Sequence, residues 1–190
     1  MPTTNFAHNE AALLATLQQP DTRHEAFAQL VSSYQRMLYA HIRRMVGDHD
    51  DADDTLQNTF IKAWRHIAQF RGDSSLKSWL YRIATNEAIT CINKRNKRAT
   101  SDLADIENTS HAPRTQHQHT TDADAIEQQL QAAIATLPDK QRAVFLLRYY
   151  DEMPYTEMSR ILETSEGALK ASYHHAAKKI EAHLTAINHV

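Results

Sequence analysis

Glycine and proline are scarce in this chain, with three Gly and five Pro among 190 residues. Average usage would give roughly 12% for the pair. Sheets consume these residues in tight turns, so their shortage predicts an all-helical fold. A single cysteine, Cys91, excludes a disulfide framework and any multi-cysteine zinc site. No apolar run approaches the ~20 residues a bilayer span requires. The polar start Met1–Glu10 holds no signal-peptide core. The expectation is a cytoplasmic protein with no membrane insertion. Charge of one sign is also missing: 21 Lys+Arg face 23 Asp+Glu, a net of −2. As a global figure this argues against a generic nucleic-acid binder, whose usual footprint is strongly basic. What the chain does have is a hydrophobic fraction of 42%, enough for real cores and too much for a wholly disordered chain.

Charge counted by segment gives a different picture. Residues 71–98 carry seven cations against Asp73 and Glu87, a net of +5, while residues 99–125 hold Arg114 against five acids, a net of −4. A basic island followed by an acidic stretch points to an anionic partner for the island.

Apolar residues recur in steps of three and four. Leu13, Leu14 and Leu17 begin a stripe that resumes at Phe27, Leu30, Val31, Tyr34, Leu38, Ile42 and Met45, and Gly47 fits a helix end. The acids Asp48, Asp50, Asp51, Asp53 and Asp54 then stand where a helix dipole favours them. The helix they open turns Leu56, Phe60, Ala63, Trp64 and Ile67 inward and leaves Gln57, Asn58, Lys62, Arg65 and Gln69 outward. Phe70–Ser75 reads as a loop. The next helix buries Leu76, Trp79, Leu80, Ile83, Ala84, Ala88 and Ile92 and ends in the basic run Asn93–Arg98. Residues 99–125 contain no aromatic and are rich in Ser, Thr, Asp, His and Gln, which reads as a flexible linker. The helical period returns at Ile126, Leu130, Ile134 and Leu137. The expected organisation is an N-terminal extension (1–24), a helical domain (25–98), an acidic linker (99–125) and a second helical domain (126–190).

Within the second domain, the short helix Tyr155–Leu162, the connection Glu163–Ser165 and the long helix from Glu166 have the proportions of a helix-turn-helix. Ser165 fits an N-cap. Lys170, His174, His175, Lys178 and Lys179 lie away from the apolar face of Leu169, Tyr173, Ala176 and Ile180. That suits a helix lying in a major groove; the bland alternative is a helical hairpin with a solvated basic face. In the island, Phe70, Trp79 and Tyr81 beside cations suit unpaired bases. Trp79 reads as core, and Phe70, in the loop, as the better stacking candidate. Asp50–Asp54 matches the DDxxD pattern by which isoprenoid synthases hold magnesium, but no second acidic motif accompanies it, and an acidic helix cap explains it more simply. His117-x-His119 and His174-His175 invite a metal, yet adjacent helical residues diverge by about 100°. No cofactor, metal or catalytic group is expected, and Cys91 reads as an inert core thiol.

The segments Asp51–Trp64 and Phe70–Ala84 resemble region 2 of bacterial sigma factors of the extracytoplasmic-function (ECF) group. Leu137–Arg142, Tyr155–Met158 and Glu166–Lys170 resemble region 4 of the same family. The likeness covers about 134 of the 190 residues, in the family's order. It implies a non-enzymatic subunit of RNA polymerase that directs promoter-specific initiation. Asp54, Gln57 and Asn58 would dock on core polymerase, whose β and β′ subunits the family engages. Phe70, Ser74, Ser75, Arg82 and Asn86 would capture a melted −10 strand, with Lys94 and Arg95 holding its backbone. In the family, a base is flipped into the loop pocket. Lys170, His174, His175 and Lys178 would read the −35 duplex, and an anti-sigma factor is an expected partner. The chain departs from the family at Ser172, His175 and Ala177, where Arg is common. A stand-alone helix-turn-helix regulator is the alternative. The linker's 27 residues reach about 90–97 Å extended, enough for elements about 70 Å apart.

Overall fold

The computed structural model describes residues 3–105 and 122–188, which form eight α-helices. These are α1 (Thr3–Gln18), α2 (Arg23–Val46), α3 (His49–His66), α4 (Leu76–Asp105), α5 (Asp122–Ala135), α6 (Asp139–Tyr149), α7 (Tyr155–Leu162) and α8 (Glu166–Asn188). A 3₁₀ turn at Ile67–Gln69 follows α3. No strand occurs among the described residues. None of the described helices is long and apolar enough to cross a membrane.

The helix ends follow local chemistry. Gly47 sits at φ +81° and its N–H donates to Arg43 O at 3.0 Å; a side chain would strain this left-handed stop, which glycine adopts freely. Asp48 then caps α3 by accepting from Asp51 N–H at 3.0 Å, and that bond holds its carboxyl below the usual range. Ser75 caps α4, its Oγ accepting from Ser78 N–H at 3.1 Å. Ser165 does the same for α8 through Ala168 N–H at 3.4 Å.

Helices α2, α3 and α4 pack on one another, with α1 laid across α2 and the 3₁₀ turn. Their core holds Leu30, Leu38, Ile42 and Met45 from α2, Ala52 and Ala63 from α3, and Leu76, Leu80, Ala84, Ala88 and Ile92 from α4. Removing each large side chain from water contributes about 1.5–3 kcal/mol. Helices α5 to α8 form a second cluster around Leu137, Leu146, Met158, Leu169 and Ile180. The two clusters touch, α7 against α4 and α6 against α2.

Several sequence expectations shift. The basic end of α4 does not stop at Arg98; the helix runs to Asp105, and α5 begins at Asp122 rather than near Ile126. Polar residues sustain a helix once it is nucleated, so composition did not mark the true ends. The middle of the expected linker, residues 106–121, lies outside the described residues, as does the His117-x-His119 pair. Ile126, expected inward, is 66% exposed, because α5 packs through Leu130, Ala133 and Ile134 instead.

Candidate nucleic-acid interface

On α3, the side chains of Asp54, Gln57 and Asn58 are all exposed, one helical turn apart on the face opposite Ala52, Thr55, Thr59 and Ala63. Asp54 and Asn58 also line a cleft of about 250 Å³ whose other wall is α4, with Lys94, Arg95 and Arg98. Two of the expected polymerase-docking residues, Asp54 and Asn58, therefore share a cleft with the expected backbone-holding Lys94 and Arg95. Arg95 is less free than its sequence suggests: its Nη1 donates to Val46 O and to Asp51 Oδ2, each at 3.0 Å, tying α4 to the end of α2 and the start of α3. Lys94 and Asn86 are exposed. Cys91 lies half-buried in the cleft wall, where burial pushes its thiol pKa up.

Two aromatic side chains, Phe70 in the loop and Tyr81 on α4, lie in the core. Phe70 is 8% exposed and tilts against Trp79 with ring centroids 5.2 Å apart, so in this arrangement its ring packs beneath the loop as core. Tyr81 is fully buried; its OH donates to Asp151 Oδ1 at 2.9 Å, and burial, reinforced by that carboxylate, raises its pKa. Ser74 and Ser75 remain at the half-buried rim. They line a bowl of about 400 Å³ with Gly72, Asp73, Glu10, Leu14 and Arg160.

The second domain forms the expected helix-turn-helix. Glu163 ends α7 in a left-handed conformation, φ +50°. Lys170, His174, His175 and Lys178 are all exposed, while Leu169, Ala176 and Ile180 are buried. Lys170, His174 and Lys178, four residues apart, share one face; His175 is turned about 100° from His174. Lys170 Nζ lies 5.7 Å from the centre of the Tyr155 ring.

Sequence reasoning missed the joint between the domains. Asp151 accepts from His41 Nδ1–H at 2.9 Å and from Tyr81 OH, and His41, wholly buried, also bonds Thr85 Oγ1 at 3.1 Å through Nε2. Ser78 Oγ donates to Glu157 Oε2 at 3.0 Å, and Arg82 pairs with Glu163. Arg142 crosses from α6 to α2, donating to Met45 O at 2.8 Å as well as to Ala135 O and Leu137 O of its own domain. Arg82 and Asn86 thus face the helix-turn-helix across a cleft of about 340 Å³ that Lys140, Glu163 and Thr164 also line. The available sequence signal was His41 itself, a polar residue within the stripe Leu38–Ile42–Met45.

The sequence matches the Sigma-70 region 2 family at residues 30–98 and the Sigma-70 region 4 family at residues 127–180. It is 31% identical over 176 residues to the RNA polymerase sigma-H factor of Pseudomonas aeruginosa, with 89% of this chain and 90% of that one covered. A second relative is the ECF sigma factor SigW of Bacillus subtilis, 30% identical over 84% of this chain and 89% of that one. The chain belongs to the ECF group of sigma factors. Among solved structures, the sigma factor RpoE of Bartonella quintana, in complex with the anti-sigma factor NepR, superposes with a TM-score of 0.65 at 25% identity, covering 84% and 96% of the two chains. CnrH, in complex with the cytosolic domain of CnrY, shares the fold at a TM-score of 0.68 and 22% identity, over 93% and 97%.

Proposed function

We propose that this sigma factor works in the cytoplasm as a non-enzymatic subunit of RNA polymerase, with region 2 capturing the melted −10 strand and region 4 reading the −35 duplex. The observation that carries the reading is the placement of three exposed polar surfaces, two on the first helical domain and one on the second. Asp54, Gln57 and Asn58 form an uncharged-to-acidic face suited to a basic protein helix. Arg82, Asn86 and Lys94 line the exposed side of α4, suited to a single strand whose backbone needs cations. Lys170, His174, His175 and Lys178 offer amines and imidazoles to phosphates and base edges. An apolar groove of about 390 Å³ between α5, α6 and α8, lined by Leu130, Phe145, Tyr149, Tyr173 and Leu184, suits an amphipathic helix of the polymerase β subunit. The likeness to sigma factors held by anti-sigma proteins supports a similar regulator here.

In the closed arrangement Arg82 is engaged by Glu163, and Asn86 looks into the cleft between the domains. Promoter elements about 70 Å apart cannot be served by domains in contact, so initiation requires them to part. With α4 extended to Asp105, the steps to Asp122 span at most about 56–61 Å. The widths of the domains supply the remainder.

The test is a transcription assay with core polymerase and a genomic promoter library. Specific transcripts are expected, and none above core background refutes the reading. Asn86→Ala should impair promoter melting with core binding intact, whereas Gln57→Ala and Asp54→Ala should reduce core binding. Equal loss of core binding in all three would refute the division of labour. A gel shift without polymerase should show weak duplex binding; tight binding would indicate a stand-alone regulator.

A further inference from the structure

Helix α1 lies before the region 2 match, yet it forms one wall of the bowl at the loop. Leu17 is fully buried and Leu13 and Leu14 pack against the core, which fixes the helix in place. Gln18 Nε2 reaches Phe70 O at 3.4 Å, tying the end of α1 to the loop. One turn before Leu14, Glu10 extends its carboxylate to the loop's last residues, where Oε1 accepts from Leu76 N–H. Its charge is also felt by the buried Tyr34, whose hydroxyl is pushed up to about 12 by burial and then by Glu10. Glu10 therefore sits at the edge of a bowl lined also by Gly72, Asp73, Ser74 and Ser75 and, in the closed arrangement, by Arg160 of the second domain. In the closed arrangement its volume is about 400 Å³, and parting of the domains removes only Arg160 from this lining.

We propose that Glu10 is a specificity-determining residue, selecting for a base with an exocyclic amino group in the bowl and against thymine. This rests on the reading of the loop as the strand-capture site. Capping Leu76 occupies Oε1, and because Glu10 also lines the bowl, Oε2 is the acceptor that this proposal assigns to the base. An ionised carboxylate has no proton to give, so it favours the amines of cytosine, adenine or guanine and is repelled by the O4 carbonyl that thymine has in place of an amine.

The experiment uses holoenzyme assembled from core polymerase and the full chain. Fluorescent single-stranded −10 oligonucleotides carry each of the four bases at each position in turn. Wild type should rank dT last at one position, by roughly 5- to 150-fold. Glu10→Gln keeps an oxygen for Leu76 N–H, so the fold is retained, but its amide can also donate to a carbonyl. The ranking at that position should flatten while the others stay as they were. Glu10→Ala should bring the amino bases down to the level of dT there. If both variants weaken all four bases equally, or change only thermal stability, Glu10 is a helix cap and the inference falls. If wild-type holoenzyme shows no base preference at any position, the sigma-factor reading fails first and takes this inference with it.

Discussion

The sharpest test of the closed arrangement is Asp151→Ala. Asp151 lies in the turn after α6, its side chain 8% exposed, and it accepts from two donors of the other domain, His41 Nδ1–H and Tyr81 OH, each at 2.9 Å. Hydrogen bonds to a charged group contribute about 1.5–3 kcal/mol each, and neighbouring bonds do not add fully, so the pair is worth about 2–4 kcal/mol. In the open form both donors return to water, and the loss therefore falls on the closed form alone. The open fraction should rise about 30- to 800-fold. Ser78, 2% exposed and bonded to Glu157 across the joint, offers a reporter. In a Cys91→Ser background, Ser78→Cys reacts with a thiol reagent only when the domains part, and its labelling rate follows the open fraction. Asp151→Ala should accelerate labelling by that factor, and Tyr81→Phe, which removes one donor, by less. A change of under threefold in the Asp151 variant would refute the reasoning.

Phe70→Ala should cost about 3–5 kcal/mol in denaturant unfolding, as for any buried phenylalanine, with strand binding by the folded fraction retained. Selective loss of strand binding at unchanged stability would restore its stacking role. Arg142→Met should destabilise the chain by about 2–4 kcal/mol, because it removes three bonds to backbone carbonyls; burial already depresses its pKa, and its Nε has no partner among the described residues. Equilibrium unfolding measures this directly. Tyr34 and Tyr150 both have hydroxyls raised to about 12 by burial first. Above pH 10 the unfolded chain ionises these groups while the native chain keeps them protonated, so stability should fall between pH 10 and 12. Tyrosinate absorbance during an alkaline titration, followed alongside helicity, checks the order of events.

Helix positions were legible in the sequence because short-range chemistry sets them. Gly47, Asp48 and Ser165 announce their ends, and the stripes through Leu38, Ile42 and Met45 or Leu80, Ala84 and Ala88 point inward as expected. The exposed faces of α3 and α8 followed from the same period. Phe70 was misplaced because local pattern cannot tell a loop aromatic folded under its own turn from one facing solvent, and Tyr81, on α4, because its partner Asp151 lies 70 positions away. The joint was invisible for a different reason. Asp151 meets His41 across 110 positions and Tyr81 across 70, and no periodicity encodes which acid finds which donor. Glu10 was hidden likewise, 66 positions from the amide it caps.

Not all contacts at the joint respond alike to ionic strength. Arg82 and Glu163 pair with about half or more of each side chain exposed, where salt screens readily and the energy is small. Asp151 and His41 are shielded from mobile ions. Raising salt should therefore loosen the rim while leaving the centre of the joint shut, even as affinity for DNA phosphates drops steeply. An ionic-strength titration of this protein would then separate two quantities that a binding isotherm alone merges: the willingness of the domains to part, and the hold of the parted domains on DNA.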